Sequence, residues 1–392
     1  MRLGDCGKTN LHTYSDKEKW SLIRYLDTGS ITEGRIDEIQ TLYPGVDKIP
    51  SRARRKASVG DILFSTVRPN QKHYGIIEAG TENLLVSTGF TVVTVDTTIA
   101  YPYFIYYYLT QSSVIESLQA IAEQSTSTYP SIKPSDIEDI ELDLPELETQ
   151  KKIGSTLRML DRKIALNEEI NDNLEQQAQA IYHERFETVS PNDLPSDWRI
   201  VTLGEVATIS NKSFNPLKEP EILLEHYSIP AFDEARFPVF ELSTSIKSNK
   251  FIIDASCFMI SKLNPTTKRV WKPYCLTGNA VCSTEFIVYK AKDQSITDFL
   301  YSVIDSGSFS DFMCSHVTGS TGSRQRTTPS DTLSYELILP SEDELAEFQS
   351  LVSPMYAQMR INAIESDKLK RLRDSLLPKL MSGEIDVSSV LL

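Results

Sequence analysis

The sequence predicts an α+β fold in which two pseudo-repeated globular α+β domains are joined by two long antiparallel helices forming a coiled coil. Three observations lead to this prediction. The 392 residues carry the same pattern twice, each copy begins with short strand-like segments, and each copy ends in a long heptad pattern. A chain of this length also exceeds the size of one ordinary domain.

The internal repeat consists of four pairs of similar segments at almost the same offset. Two pairs lie 196 residues apart and two lie 195 residues apart. A tandem duplication is the simplest explanation of four matches with so small a drift. The pairs are ILFSTVRPN from Ile62 with FMISKLNPT from Phe258, VSTGF from Val86 with CSTEF from Cys282, KPSDIEDIELDLP from Lys133 with TPSDTLSYELILP from Thr328, and LNEEINDNL from Leu166 with INAIESDKL from Ile361.

Each copy changes its pattern partway. In the first copy, DILFSTV, GIIEA and FTVVTV read as strands, PYFIYYYLTQSSVIESLQAIAEQ reads as a helix, and IELDLP reads as a further strand. After Pro145 the pattern is helical for about 40 residues, with no proline and one glycine, Gly154. We therefore expect globular domains at residues 1–145 and 187–340, and helical regions at residues 146–186 and 341–392.

The two helical regions carry matching seams in which apolar residues recur at alternating spacings of three and four. Polar residues interrupt both seams at equivalent places, and a buried Asn in a coiled coil fixes register and partner. The alternative is that each stripe packs on its own globular domain. The predicted seam residues are Leu157, Leu160, Ile164, Asn167, Leu174 and Ile181 in the first region, and Met355, Met359, Asn362, Leu369, Leu376 and Leu380 in the second.

The length of these helices suggests a spacer. A helix of about 40 residues is roughly 60 Å long. If the two helices pair antiparallel, the globular domains would lie at opposite ends, related by a pseudo-two-fold axis. Such an arrangement suits a target with two separated half-sites.

The composition argues against several classes of protein. A net charge of −14 is unfavourable for a simple basic nucleic-acid coat protein. The longest apolar stretch, YFIYYYL, is far shorter than the roughly 20 residues of a membrane span, and no signal peptide is evident, so we expect a cytoplasmic protein. Five cysteines without a CxxC pair, and five scattered histidines, indicate reduced thiols and no metal site.

Basic residues are nevertheless concentrated in a few segments that recur in the repeat. These segments are SRARRK and VRPNQKHY in the first copy, and SKLNPTTKRVWK and TGSTGSRQRTTPSD in the second. Arg, Lys, Asn and Gln contact phosphates and base edges, whereas any one such run could also be a solvated surface loop. The candidate DNA-binding residues are Arg52, Arg54, Arg55, Lys56, Arg68, Asn70, Lys72, His73, Lys262, Asn264, Lys268, Arg269, Lys272, Arg324, Gln325 and Arg326.

Taken together, several sequence segments resemble the specificity (S) subunit of type I restriction-modification systems, and the resemblance extends over essentially the whole chain. They are YLDTGSITEGRID, PSRARRK and GDILFSTVRPN in the first half, LDLPELETQKKI and LDRKIALNEEINDNLEQQAQAIYHERF before the middle, LPSDWRIVTLGEVATIS at the start of the second half, and LRDSLLPKLMSGEI near the end.

The resemblance implies that the two globular domains are target-recognition domains and that the helices are the conserved regions of that family. Each domain would read one half of a bipartite asymmetric target in double-stranded DNA, and the paired helices would fix the spacing. The implied partners are two methyltransferase (modification) subunits and translocating restriction subunits. S-adenosylmethionine, ATP and Mg²⁺ would belong to these partners and none to this chain, which would be non-catalytic.

Two departures from the family pattern stand out. The first domain begins at MRLGD and lacks a segment that corresponds to LPSDWRIVT, so an edge strand or a methyltransferase contact is expected to differ there. The second domain has SKLNPTTKR in place of STVRPN and loses the residue that matches Arg68. The second departure fits two domains that read different half-sites.

Two alternative functions remain open from the sequence. One is a protein-interaction scaffold without direct DNA readout, in which the basic loops are ordinary surface. The other is a self-contained DNA methyltransferase or nuclease. The sequence has no GxGxxG and no GxSxG motif, and no NPPY-type or nuclease pattern stands out, which disfavours the second alternative.

Overall fold

The computed structural model describes residues 1–125, 129–190, 192–319 and 325–387. The chain divides into two compact units, the first formed by Met1–Lys163 with Leu369–Leu392 and the second by Ile164–Lys368. Each unit contains one globular α+β part and a portion of both long helices, which are α5 (Leu147–Tyr182) and α11 (Glu342–Met381). The predicted α+β fold with two long paired helices is confirmed.

Within the described residues, the globular part of the first unit contains four short α-helices and ten strands. The helices are α1 (Leu3–Cys6), α2 (Pro102–Leu109), α3 (Ser112–Glu123) and α4 (Pro134–Glu138). The strands are β1 (Gly7–Thr9), β2 (Ile23–Leu26), β3 (Ile31–Thr32), β4 (Arg35–Ile36), β5 (Gln40–Leu42), β6 (Ala53–Lys56), β7 (Ile62–Ser65), β8 (Tyr74–Ile76), β9 (Leu84–Ser87) and β10 (Phe90–Val95).

The globular part of the second unit follows the same plan. Its helices are α6 (Leu203–Val206), α7 (Ile229–Ala235), α8 (Thr297–Ile304), α9 (Gly307–Ser315) and α10 (Pro329–Thr332). Its strands are β11 (Arg199–Thr202), β12 (Ala207–Ile209), β13 (Ser213–Phe214), β14 (Leu223–Tyr227), β15 (Val239–Leu242), β16 (Lys250–Ile252), β17 (Cys257–Ser261), β18 (Val270–Trp271), β19 (Ala280–Ser283), β20 (Phe286–Ala291), β21 (Val317–Thr318), β22 (Arg326–Thr327) and β23 (Glu336–Leu339).

The sheets show that the sequence repeat is also a structural repeat. The order β1-β10-β7-β8 in the first unit matches β12-β20-β17-β18 in the second, and all neighbours in both sheets are antiparallel. Val92 pairs with Leu63, and Val288 pairs with Met259, which is the same pair 196 residues later. Each unit also contains another sheet, with the order β5-β2-β9-β6 in the first unit and β13-β16-β19-β14-β15 in the second. This sheet is repeated too, because β2 runs parallel to β9 as β14 runs parallel to β19.

Two predicted elements differ from the structure. The single helix expected after Pro102 is broken into α2 and α3, because the Thr110 hydroxyl and the Gln111 amide donate to carbonyl groups of the last turn of α2. The strand expected at IELDLP is reduced to one bridge between Glu141 and Arg2 in the first unit, whereas β23 pairs with β11 over four residues in the second.

The hydrophobic core of each unit joins the globular part to both long helices. In the first unit, Ile153 and Leu157 of α5 and Leu380 of α11 are buried in one cluster with the aromatic residues of α2. In the second unit, Tyr182 and Phe348 pack with Phe299 of α8. The early part of α5 thus meets the late part of α11 in the first unit, and the reverse holds in the second, so the helices run antiparallel. The seams pack on each other and on the globular parts.

The seam residues Asn167 and Asn362 are buried at the centre of a polar layer in the second unit. The Asn167 amide donates to Ser366 Oγ (3.2 Å), and the Asn362 amide donates to Asn171 Oδ1 (2.9 Å). These two contacts are the same contact repeated, since Asn362 and Ser366 follow Asn167 and Asn171 by 195 residues. The other predicted seam residues are buried or half-buried.

Asp161, Arg373 and Tyr107 form a second polar network on the helices, within the first unit. Arg373 Nη1 donates to Asp161 Oδ1 (2.7 Å), and the Tyr107 hydroxyl donates to Asp161 Oδ2 (2.5 Å). Burial alone would lower the pKa of Arg373, but the carboxylates of Asp161 and Asp374 outweigh it and raise that pKa. At the equivalent place in the second unit, the hydroxyls of Ser302 and Tyr356 lie 2.7 Å apart.

Three further features concern membranes, metals and thiols. No helix within the described ranges combines the length and the apolar character that crossing a membrane requires. Among these residues, no group of three or more His, Cys, Asp or Glu side chains is placed to hold a metal ion. All five cysteines are free thiols, and Cys6, Cys257 and Cys282 are buried.

Candidate nucleic-acid interface

The two basic loops predicted in the second unit lie side by side. Leu263 forms a β-bridge with Arg326, and the Asn264 N–H donates to the carbonyl of Gln325 (3.0 Å). The Thr327 N–H donates to the carbonyl of Lys262 (3.1 Å). The structure therefore brings together residues that are about 60 positions apart in the sequence.

The first unit contains the same arrangement. Val67 forms a β-bridge with Ser131, the Arg68 N–H donates to the carbonyl of Pro130 (3.0 Å), and the Ile132 N–H donates to the carbonyl of Thr66 (2.9 Å). We call this meeting of two loops the turn junction. It consists of residues 66–72 with 129–132 in the first unit, and of residues 262–268 with 325–327 in the second.

A third turn completes each junction. The Thr66 N–H donates to the carbonyl of Gly89 (2.8 Å), and at the equivalent place the Lys262 N–H donates to the carbonyl of Glu285 (2.9 Å). In the first unit, this turn also reaches the start of β6, since the Thr88 N–H donates to the carbonyl of Arg52 (2.9 Å).

Four candidate residues in or beside the first junction are exposed, namely Arg52, Arg68, Asn70 and Lys72. The Arg68 guanidinium lies over the ring of Tyr129, 5.2 Å from its centroid. The Asn70 N–H donates to the side chain of Gln119 (3.3 Å). This part of the junction presents cationic and amide groups to solvent.

Lys72 and His73, which end the same turn, are bound within the first unit. The ammonium of Lys72 forms an ion pair with Glu33. His73 Nδ1 lies 2.7 Å from the carbonyl of Ile31 and 3.3 Å from the Thr32 hydroxyl. These contacts attach the turn to the β3-β4 hairpin.

The residues of SRARRK after Arg52 lie on a strand rather than in a loop. Arg54, Arg55 and Lys56 form part of β6, and all three are half-buried. Arg55 Nε is buried without a hydrogen-bond partner among the described residues, and burial lowers the pKa of Arg55. Lys56 forms an ion pair with Glu18 and lies over the Trp20 ring.

Lys268, Arg269 and Lys272 in the second unit are bound to carboxylates of their own unit. The sequence predicts all three as DNA contacts, but they pair with Asp305, Asp233 and Asp298 respectively. Arg269 binds both carboxylate oxygens of Asp233, at 2.5 and 2.9 Å. Each of the three cations therefore has a carboxylate partner within the second unit.

Asp305 makes the stability of the second unit depend on pH. Burial raises the pKa of Asp305 to about 6, although Lys268 Nζ lies 2.8 Å from Oδ1. Asp305 thus binds a proton more tightly in the folded chain than in the unfolded chain, so its contribution to the free energy of unfolding should fall as pH rises from about 4 to about 6. Asp305→Asn removes the buried charge and should abolish this fall, leaving the variant at least as stable as the parent at pH 7.

Urea unfolding at pH 4 and at pH 7 checks this prediction. The variant and the parent should differ less at pH 4 than at pH 7. A variant that loses stability relative to the parent as pH rises would contradict it.

Arg326 and the remaining candidates lie close to the second junction. Arg326 Nε and Nη2 donate to the carboxylate of Glu285, at 3.0 and 3.2 Å. Lys262, Asn264 and Gln325 are half-buried. Arg324 lies outside the described residues.

Three further residues at the junctions were not identified from the sequence, namely Gln119, Tyr129 and Glu285. Gln119 and Tyr129 belong to segments without concentrated charge. Glu285 replaces Gly89 of the first copy within the matched pair VSTGF and CSTEF. An acidic residue at an otherwise repeated turn could have identified Glu285 as an ion-pair partner for a nearby basic residue.

Comparison with known proteins shows which chains are similar to this one. A family model of the type I restriction modification DNA specificity domain matches residues 53–176. The type I restriction enzyme HindI specificity subunit of Haemophilus influenzae is 24% identical, and the alignment covers 98% of each chain. The MjaIX specificity subunit of Methanocaldococcus jannaschii is also 24% identical, over 73% of this chain and 70% of that one.

A solved structure has the same fold. The crystal structure of a type I restriction-modification system S subunit from M. genitalium matches with a TM-score of 0.58 and 15% sequence identity, covering 97% of this chain and 95% of that one. The chain is therefore similar to the specificity subunits of type I restriction enzymes, and residues 53–176 match the family model of their DNA specificity domain.

Proposed function

We propose that the chain is the DNA-reading subunit of a type I restriction-modification complex. It recognises a bipartite, asymmetric target in double-stranded DNA, with one half-site read by each unit. The chain itself is non-catalytic, and methyltransferase and restriction subunits carry out the chemistry. Two methyltransferase subunits fit a scaffold that carries the same unit twice.

The turn junction is the observation that carries this proposal. The same three turns meet in both units, at positions related by the repeat, although the side chains there differ. A repeated backbone with different side chains is what two readers of different half-sites require.

The chemistry of the junctions fits DNA recognition. At the first junction, exposed Arg52 and Arg68 can reach phosphates or guanine edges, and Asn70 can reach adenine. At the second junction, Lys262 and Gln325 supply a cation and an amide. The extra acids of the chain, including those that bind Lys268, Arg269 and Lys272, lower the electrostatic affinity for DNA. We expect partner subunits to contribute much of the affinity and this chain the sequence preference.

The salt dependence of DNA binding tests the proposal in the complex assembled with its methyltransferase subunits. Phosphate contacts release counterions, so the logarithm of the affinity should fall linearly with the logarithm of the salt concentration. Arg52→Ala should weaken binding to all sequences similarly and reduce the slope by about one.

Arg162→Gln serves as the matched control for this experiment. It removes one exposed positive charge from α5, away from the junction residues in sequence, and should leave the slope unchanged. A flat salt dependence of the parent complex would rule out the proposed function.

A further inference from the structure

We propose that Arg68 is the residue through which the first unit reads a guanine in its half-site. This inference rests on the proposed function and assigns a base to one position of the first turn junction. It draws on the backbone at Arg68, on the contacts of its side chain, and on its comparison with Asn264.

Arg68 and Asn264 occupy the same corner of the repeated turn. Both have left-handed backbone, with φ of 49° and 48°, and a proline follows each. The next hydrogen bond is also repeated, from Gln71 N–H to Arg68 O (2.8 Å) and from Thr267 N–H to Asn264 O (2.9 Å). The turn therefore imposes a left-handed residue at this corner in both units.

The two residues suit this corner unequally. Asn is several-fold enriched among non-glycine residues with left-handed backbone, whereas a long side chain gains nothing from that conformation. Asn264 Oδ1 is buried without a hydrogen-bond partner among the described residues, so its side chain is turned into the protein. The backbone conformation alone thus accounts for an asparagine at position 264. It does not account for an arginine at position 68, so we look for the reason in the contacts of the Arg68 side chain.

The Arg68 side chain contacts an aromatic ring and keeps its charge. Its guanidinium packs over the ring of Tyr129, 5.2 Å from the centroid, and within the described ranges Arg68 forms no ion pair. In contrast, Lys72 is bound to Glu33 and Arg326 to Glu285. The contact with the face of the Tyr129 ring takes none of the N–H groups of the guanidinium as hydrogen-bond donors to a carboxylate, so they are available to a ligand.

This arrangement matches one base. Two N–H groups of an arginine donate to O6 and N7 of guanine in the major groove, which is the commonest specific contact between proteins and DNA. A guanidinium that already lies over an aromatic ring has fewer rotamers to lose on binding than a free one. A phosphate contact would need the positive charge of the guanidinium but not its pair of parallel N–H donors.

The test uses the complex assembled with its methyltransferase subunits and a library of random duplex DNA from which the complex selects its target. Arg68→Asn places the residue of the other repeat at this corner, so the fold should be retained and Tm should not fall. The preference for guanine at one position of one half-site should drop by roughly ten- to a hundredfold. The other half-site should be unchanged.

Arg68→Lys distinguishes base reading from a phosphate contact. It retains the charge and should retain the salt slope. It should nevertheless lose the guanine preference, because an ammonium lacks the two parallel N–H donors of a guanidinium. Unchanged base preferences in Arg68→Asn would overturn the inference, as would a uniform loss over all sequences that Arg68→Lys restores. A parent complex that selects no sequence would instead overturn the proposed function.

Discussion

Insertion of one heptad into each long helix, after Asn167 and after Asn362, is expected to lengthen the DNA spacer that the complex prefers. Seven residues preserve the seam, and they lengthen each helix by about 10.5 Å, which corresponds to roughly three base pairs. The two insertions lie opposite each other in the polar layer, so the helices can still pair. Binding to DNA with the original spacer should fall sharply, while each half-site keeps its sequence.

Selection from duplexes with variable spacer length measures this effect. The control is the same heptad inserted after Asn167 alone, which leaves the helices unequal and should impair folding rather than shift the spacer. If the double insertion folds and retains the original spacer preference, the helices do not set the spacing.

Replacement of Asp161 by Ala is expected to cost the first unit about 2 kcal/mol of stability. The change leaves the Tyr107 hydroxyl and the Arg373 guanidinium without their shared acceptor. A fully buried ion pair would cost more when broken, but the side chains of Asp161 and Arg373 are 31% and 23% exposed and retain contact with water. Arg373→Ala should cost a similar amount, and the double variant should lose less than the sum.

Urea unfolding followed by far-UV circular dichroism measures these losses. Asp374→Ala is the matched control, because Asp374 also accepts from Arg373 but its side chain is 63% exposed. The control should change the free energy of unfolding by less than about 0.5 kcal/mol. Equal losses for Asp161→Ala and Asp374→Ala would show that the network does not stabilise the helix pair.

The repeated fold and the helix pair follow from regularities that a sequence displays directly. Strand and heptad periods are local, and the repeat itself shows which residues are equivalent. The interruption of both seams at Asn167 and Asn362 predicts a polar layer between the helices, and the structure contains one. Local periodicity does not show how a helix ends, which is why α2 and α3 read as one helix.

The candidate site could be predicted only in part, because ion pairs join residues that are far apart in the sequence. Arg269 and Asp233 are separated by 36 positions, and Arg326 and Glu285 by 41. No local pattern reveals that these cations are neutralised. A run of basic residues therefore indicates the right segments but not which side chains face a partner.

The corner at Arg68 illustrates the same limit for the backbone. The alignment of STVRPN with SKLNPT shows that Arg68 matches Asn264, and on sequence alone this weakens the comparison of the two loops. The left-handed backbone that both residues share shows that they occupy equivalent positions and differ only in the side chain. The conformation depends on hydrogen bonds to the second loop of the junction, which sequence spacing does not show.

Mapping of modified bases in DNA from cells that carry the chain with its methyltransferase subunits tests the central claim most directly. The account predicts methylated adenines within one asymmetric target made of two short defined sequences separated by a spacer of fixed length and undefined sequence. A single continuous target, or methylation without any sequence in common, would contradict the reading of two half-sites by two repeated units.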